Sequence, residues 1–432
     1  MWINIYTLLV ASLSFGTISL GNLFEGNIRP WELLLGAFLL VTSLKLFVIN
    51  NAKLTTKTSF LLIAPFIVSI FFSTIVAFSL DLWIKQAALV CAMIILFVVV
   101  SQRCSREQLI QNLRWVIYPG IFVAGWGILE IFFRPENLQV YSSDSILLVP
   151  RVRSFFAEAN EFSQYLSLPF GFLFAAIIYH RSITLWERCI YFLGLFIVIA
   201  AQMMSFSRGG LVAFAAELLA WMSLRTLGDS KVKNKKYILL FPLVIVVIIG
   251  FLYFTQLFVI DIFDVLGSRI TSLFSGNDVT TSIRLESIYT AFNYNIKSVY
   301  NFIVGIGFGN LPILLEDKVA TTSNFLVDVF SETGSLGLIS FSIIIINLLL
   351  LPLNTFRLLI KNKDDQLIVV FYGTYLSFIG LIIGGLTAAT HMLNFFWFIS
   401  GMLIALYQYG LNLNKVILSN EKFLVVPEKL NN

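Results

Sequence analysis

The chain has 432 residues, of which 58% are hydrophobic and 12% charged, with a formal net charge of +5. Soluble domains carry roughly 25% charged residues, and a soluble fold of this length could not keep so much apolar surface away from water. Composition therefore excludes an ordinary soluble domain. The positions of the charges exclude nucleic acid as the partner.

Apolar runs of about 18 to 23 residues, the length needed to cross about 30 Å of hydrocarbon, recur along the whole chain. They lie near 3–21, 31–49, 59–79, 82–100, 115–133, 162–180, 189–206, 210–226, 237–259, 334–355, 367–386 and 391–411. The first has no Lys or Arg before it and no small-x-small cleavage site, so it reads as an uncleaved span. Backbone groups in lipid must be satisfied internally, and the alternation of barrel strands is absent, so the spans are predicted helices. The expectation is a single all-α transmembrane domain over 1–432 with about twelve membrane-spanning helices.

With the N-terminus inside, the inner connections hold eighteen of the 29 Lys and Arg residues and the outer ones nine. Every inner connection is basic, as the positive-inside rule requires, which places both termini in the cytoplasm. Two outer connections are too long for simple turns: 134–161 and 260–333. The second contains Ile288, Phe292, Ile296, Val299 and Ile303 at helical spacing, which predicts interfacial helices. Long ordered loops are usually functional, so the chemistry is expected on the outer face.

The outer cations are few. Arg151 and Arg153 stand in "VPRVRSFFAEANEFSQYL", Arg208 in the short turn "SFSRGG", and Arg284 in "SIRLESIYTAF". Guanidinium groups suit phosphate and carboxylate, so a converging set would hold a lipid-anchored polyanion. The alternative is that they bind lipid headgroups or pair with nearby carboxylates. Gly209 and Gly210 would let the backbone approach a ligand or another helix. Among the acids, Glu158 and Glu161 flank Asn160 before the sixth span, and Asp328 and Glu332 approach the tenth. Each is either a general base or arginine partner, or a helix N-terminal carboxylate favoured by the dipole. Glu217 lies mid-span and faces the bundle interior. His391, at the outer end of the last span, reads as an interfacial hydrogen-bonding residue more readily than as a catalyst, and His180 lies on the cytoplasmic side. Three scattered cysteines and two histidines offer no disulfide framework and no metal site.

Taken in order, "RVRSFFAEANEFSQYL", "SFSRGGLVAF", "SIRLESIYTAFNYNIKSVYNFIVGIGFGN" and "SNFLVDVFSETGSLG" resemble the O-antigen ligase/polymerase superfamily of bacterial envelope glycosyltransferases. The resemblance runs from about Arg151 to Gly337. It implies a GT-C-like fold in the bacterial plasma (inner) membrane and metal-independent, cofactor-free glycan transfer from an undecaprenyl-diphosphate donor. The implied partners are undecaprenyl-diphosphate-linked glycans, membrane lipid, and a chain-length regulator or flippase of the same pathway. By that carry-over Arg208 and Arg284 hold the donor diphosphate, and Glu158 is the base or acceptor-orienting group. Arg151, Arg153, Asn160, Ser323, Asn324 and Glu332 line the substrate site. Ligases of the family carry a histidine where this chain has Ser323, and serine is no base near neutral pH without help. The polymerase branch is therefore favoured. The rivals are a ligase acting on a lipid, wall or protein acceptor, and a lipid-linked oligosaccharide flippase, which should show mid-membrane charges and repeated halves.

Overall fold

The computed structural model describes residues 5–14, 34, 36–37, 57–133, 139–141, 149–228, 279–316 and 321–424. The predicted span near 237–259, nearly all of that near 31–49 and the loop portion 260–278 lie outside the described residues. The apolar runs that are described fold as helices. In chain order they are α1 (Ile5–Ser12), α2 (Lys57–Phe72), α3 (Leu80–Ser101), α4 (Arg106–Phe133), α5 (Ala159–Tyr179), α6 (Leu185–Met204) and α7 (Arg208–Gly228). The second long connection and the C-terminal part of the chain supply α8 (Val279–Ile296), α9 (Val299–Val304), α10 (Leu311–Leu314), α11 (Phe325–Leu350), α12 (Pro352–Asn362), α13 (Asp365–Gly385) and α14 (Asn394–Leu424).

Among the described residues, six helices are long and apolar enough to cross a membrane: Leu80–Ser101, Arg106–Phe133, Ala159–Tyr179, Leu185–Met204, the continuous α11–α12 segment Phe325–Asn362, and Asp365–Gly385. Two departures from a purely helical expectation have local causes. The connection 134–161 contains an antiparallel ribbon, β1 (Gln139–Tyr141) against β2 (Val149–Arg151), with Gln139 opposite Arg151. Residue 150 is a proline on this two-stranded edge, where its missing N–H does no harm. The helix expected from 334 starts nine residues earlier, at Phe325, and crosses a break at Gly334 (φ 67°, ψ −166°). The last part of the 260–333 loop is thus helical and leads into the span across a kink at Gly334.

Helices α5 and α13 form the buried axis of the bundle and are apolar nearly all round, the pattern of a helix surrounded by others. They approach closely because Gly171 faces Ser377 and the Gly373 carbonyl, where a Cβ would come within 2.8 to 2.9 Å of both. Small residues are the usual means of close helix packing in lipid, where apolar side chains gain nothing by leaving it. Gly401 of α14 likewise lies against the Phe97 carbonyl of α3, and Gly194 of α6 meets Ile121 of α4. The outward surface is apolar instead, with Phe60, Leu61, Ile75, Phe132, Phe133 and Ile339 all exposed.

The bundle has a basic end. There Arg106 Nε donates to Asp364 Oδ2 at 2.7 Å, and the Arg103 guanidinium sits 3.6 Å from the centre of the Tyr6 ring. Burial raises the Asp364 carboxyl, but the bonds from Arg106 and from the Leu367 and Gln366 N–H groups outweigh it and hold the carboxyl below its ordinary range. The opposite end carries the α2–α3, α4–α5, α6–α7 and α13–α14 connections and the helices α8 to α10.

The amphipathic pattern of α8 has its sides settled by packing. Ser287, Ala291 and Asn295 are buried, while Leu285, Tyr289, Phe292 and Ile296 are exposed. The small and polar stripe faces the protein, and the apolar stripe faces outward, the reverse of a soluble helix and what a lipid-facing helix requires.

The α5–α13 contact yields a direct test. Gly171→Val should block it, because the displaced atoms are backbone of α13. Overpacking of this kind costs about 1–3 kcal/mol or more. Thermal unfolding of the detergent-solubilised protein should show a clear loss of stability, and an unchanged midpoint would contradict this packing.

Candidate functional site

The segment "GIGFGN" builds the floor of the site. Gly305, Gly307 and Gly309 all have positive φ, at 82°, 99° and 76°. At Gly305 the φ and the space both demand glycine, since a Cβ there would collide with the backbone of Glu332 and Thr333. Reciprocally, a Cβ on Gly334 would strike the backbone of Ile303 and Val304. The two backbones therefore touch, and the contact is bonded from both sides. Ile306 N donates to Ser331 O at 2.9 Å, and Asn295 Nδ2 of α8 donates to the same carbonyl at 3.2 Å. Beyond the glycines, Phe308 N donates to Ser73 Oγ at 3.0 Å and Asn310 Oδ1 accepts from Ser79 N at 2.6 Å. These bonds fix the segment to the α2–α3 connection.

This cradle positions Glu332, which is buried and accepts backbone N–H bonds from Gly309 and Leu311. One turn earlier, Asp328 is 1% exposed. Its Oδ1 accepts from Thr322 N at 2.8 Å and from Thr322 Oγ1 at 2.6 Å. Its Oδ2 is buried and has no hydrogen-bond partner among the described residues. Ser323 takes a left-handed φ of 60°, and Asn324 caps α11, its Oδ1 accepting from Leu326 N and Val327 N. The Asn324 side-chain oxygen thus serves the helix terminus.

From the far side of the chain, the 3-10 turn Thr390–Met392 brings His391 to the same place. The ring is 2% exposed. Neither Nδ1 nor Nε2 has a hydrogen-bond partner among the described residues. Trp397 Nε1 donates to the His391 carbonyl at 2.9 Å, and the ring meets Phe341 edge-on, centroids 6.3 Å apart. Asp328, Glu332, His391 and Glu161 line one cavity of about 390 Å³, together with Gln86, Asn394, Phe156 and Phe395. That volume is within the roughly 300–1,000 Å³ typical of small-ligand pockets. Its described lining holds carboxyls and an imidazole but no Lys or Arg. It suits hydroxyl groups and has no counter-charge for a phosphate.

Arg151 and the Ser207–Arg208 turn stand beside it. The strap 151–154 is pinned at several points. Val152 N donates to Met204 O, and Arg151 Nε donates to Ser205 O at 2.8 Å. Ser154 N donates to Glu130 Oε2 of α4 at 3.0 Å. Arg151 Nη2 also reaches Asn160 Oδ1 at 2.8 Å, and Ser207 Oγ donates to the same oxygen at 3.1 Å. Arg208, the first residue of α7, follows that serine and is half-buried. Gly209 and Gly210 let α7 begin against other helices: Cβ atoms would collide with Thr387, and with Ser163 and Gln202. The turn adjoins the cavity twice, because Asn160 precedes Glu161 and Thr387 is two residues from Ala389, both cavity-lining. Arg153 donates through Nη1 to Ala157 O at 3.2 Å. Arg284 is half-buried on α8, in the turn before the Ser287–Ala291–Asn295 stripe.

Compared with known proteins, the chain matches no family model and no curated sequence.

The sequence-predicted residues thus divide. Arg151, Asn160 and the Ser207–Arg208 turn come together, and Glu332 lies in the cavity. Glu158 is exposed at the N-cap of α5 with no side-chain capping bond, and it is Glu161, one turn on, that lines the cavity. Asp328 stands beside Glu332 among the candidate acids of the sequence and His391 at the outer end of the last span, but nothing in the sequence joins the two. Their signal is structural, a buried polar group left without a partner. Glu130 gives no signal either, because it sits at the end of an apolar run, where it takes the Ser154 N–H. Glu217 fits against Gly380 and Ser167 in the interior.

Arg151 is 7% exposed and is committed to two protein acceptors. Arg151→Ala should cost about 1–3 kcal/mol by taking the guanidinium donor from the buried Ser205 carbonyl and one of the two donors from Asn160 Oδ1. Arg151→Lys should fail to restore it, because one ammonium cannot copy the two-point contact. Unfolding midpoints of both variants in detergent would show this, and a lysine variant as stable as wild type would refute it.

Proposed function

We propose that this chain is a metal-independent glycosyltransferase that polymerises undecaprenyl-diphosphate-linked oligosaccharide repeat units into surface polysaccharide. The reaction takes place on the outer face of a bacterial plasma membrane. In this reading the apolar runs make about twelve spans in a GT-C-like arrangement, and the basic end of the bundle is cytoplasmic, with both termini there. The observation that carries the reading is the division of charge at the other end. An arginine-bearing turn around Arg208 stands next to a sheltered cavity of carboxyls and one histidine.

That division fits the two halves of a glycosyl transfer. A departing lipid diphosphate gains negative charge in the transition state, and fixed guanidinium groups stabilise it without reorganising. Arg208 and Arg284 are assigned that role. The attacking hydroxyl needs acceptors for its hydrogen bond, which the acidic cavity supplies. The apolar outward stripe of α8 suits contact with the lipid tail of the donor or the surrounding bilayer. A transporter would instead concentrate polar groups near mid-membrane, whereas the described acids and arginines named above gather at one end of the bundle, with Glu217 the mid-span exception.

One observation favours a second reading, an O-antigen-type ligase that passes the glycan to a lipid, wall or protein acceptor. Ser323 in place of a histidine favours the polymerase branch, yet His391 brings an imidazole to the cavity lined by Asp328 and Glu332.

A strain lacking the protein separates the two, since single repeat units on the carrier lipid indicate a polymerase and a full ladder on that lipid indicates a ligase. In the same strain, Arg208→Ala and Arg284→Ala should each reduce chain extension by about 10²–10³-fold, the usual loss for one positioned transition-state donor. Polymer of wild-type length and amount from both variants, seen on gels of surface glycan, would overturn the assignment.

A further inference from the structure

Two buried polar groups in the cavity keep atoms that bond to nothing else among the described residues. Both ring nitrogens of His391 lack partners among the described residues, and so does Asp328 Oδ2. Buried polar atoms are normally hydrogen-bonded, so such exceptions in one cavity mark a place for a ligand. The ring is nevertheless held in position, by the Trp397 bond to its carbonyl and by the edge of Phe341. Phe156 and Phe395, whose rings meet at 6.3 Å, give the cavity an apolar wall. The lining carboxyls, with no described cation among them, disfavour phosphate and uronate and suit an uncharged sugar.

We propose that this cavity is the acceptor-sugar subsite and that His391 accepts the proton of the attacking hydroxyl, with Asp328 orienting it. The inference rests on the glycosyl-transfer reading above and adds the acceptor half. The hydroxyl oxygen forms a bond to the donor's anomeric carbon. The bond from that carbon to the phosphate oxygen breaks, and its electron pair leaves with the lipid diphosphate toward the Arg208 turn. The hydroxyl proton passes to an unprotonated ring nitrogen of His391 and from there to water.

The chain contains only two histidines, His180 and His391, which makes a chemical test selective. The full-length His180→Gln protein in lipid vesicles would be given undecaprenyl-diphosphate repeat units isolated from a strain lacking the protein, then treated with diethyl pyrocarbonate. Carbethoxylation of His391, located by mass spectrometry, should abolish extension in step with modification, and hydroxylamine should restore both. His391→Gln should slow extension by about 10²–10⁴-fold, the usual range for a general base, and His391→Gly should be partly rescued by imidazole. Failure of the untreated protein to extend the repeat units would instead sink the polymerase reading. If the untreated protein extends them, full extension with modified His391, or a His391 that the reagent never reaches, overturns the acceptor-site assignment alone.

Discussion

The segments Ile303–Gly305 and Glu332–Gly334 meet backbone against backbone, and the rest of the candidate site depends on that contact. A helix entering the bilayer cannot carry polar groups at its first turns unless something satisfies them, because lipid offers no hydrogen bonds. Here the break at Gly334 lets the Ile303–Gly305 backbone press against Glu332 and Thr333. The Ser331 carbonyl, on the turn before the break, is then taken by Ile306 N and Asn295. The amides of Gly309 and Leu311 turn toward Glu332. The same segment reaches the α2–α3 connection through Phe308 and Asn310. One close approach thus joins α8, α9, α11 and the α2–α3 link into a single wall.

Against that wall the proposed chemistry separates by charge. Guanidinium groups close to carboxylates would pair with them and lose their value for a departing diphosphate. Asp328, Glu332 and His391 line the cavity, and the Arg151–Asn160–Ser207 network stands beside it. The boundary between them is the start of α5, where Asn160 faces the arginine strap and Glu161 lines the cavity. Such an arrangement can hold a leaving anion and an attacking hydroxyl on opposite sides of one reacting carbon.

Much of the scaffold was legible in the sequence, because hydrocarbon thickness sets span length and the described helices α3 to α7, α11, α13 and α14 overlap the apolar runs. The arginine strap and the "SRGG" turn were also legible, since charges without need in a short connection require a partner. Less could be read about what each residue touches. Arg151 and Asn324 carried the right chemistry for substrate, but their atoms serve Ser205, Asn160 and the α11 terminus. Glu158 and Glu161 differ by one helical turn, and only packing decides which reaches the cavity. His391 could not be joined to Asp328 by any local pattern, because more than sixty residues and two helices separate them. The break at Gly334 was hidden by an apolar run that continues past it, and the ribbon at 139–151 by a loop with no alternation of its own.

The proposed function requires one end of the bundle to make glycosidic bonds at the expense of lipid diphosphate. Purified protein in vesicles containing undecaprenyl-diphosphate repeat units tests it most directly, with new glycosidic bonds and released undecaprenyl diphosphate counted together. A polymerase releases one lipid diphosphate for each bond formed and lengthens a lipid-linked polymer. Repeat units that cross the vesicle membrane unchanged, with neither bond formation nor release, would contradict it.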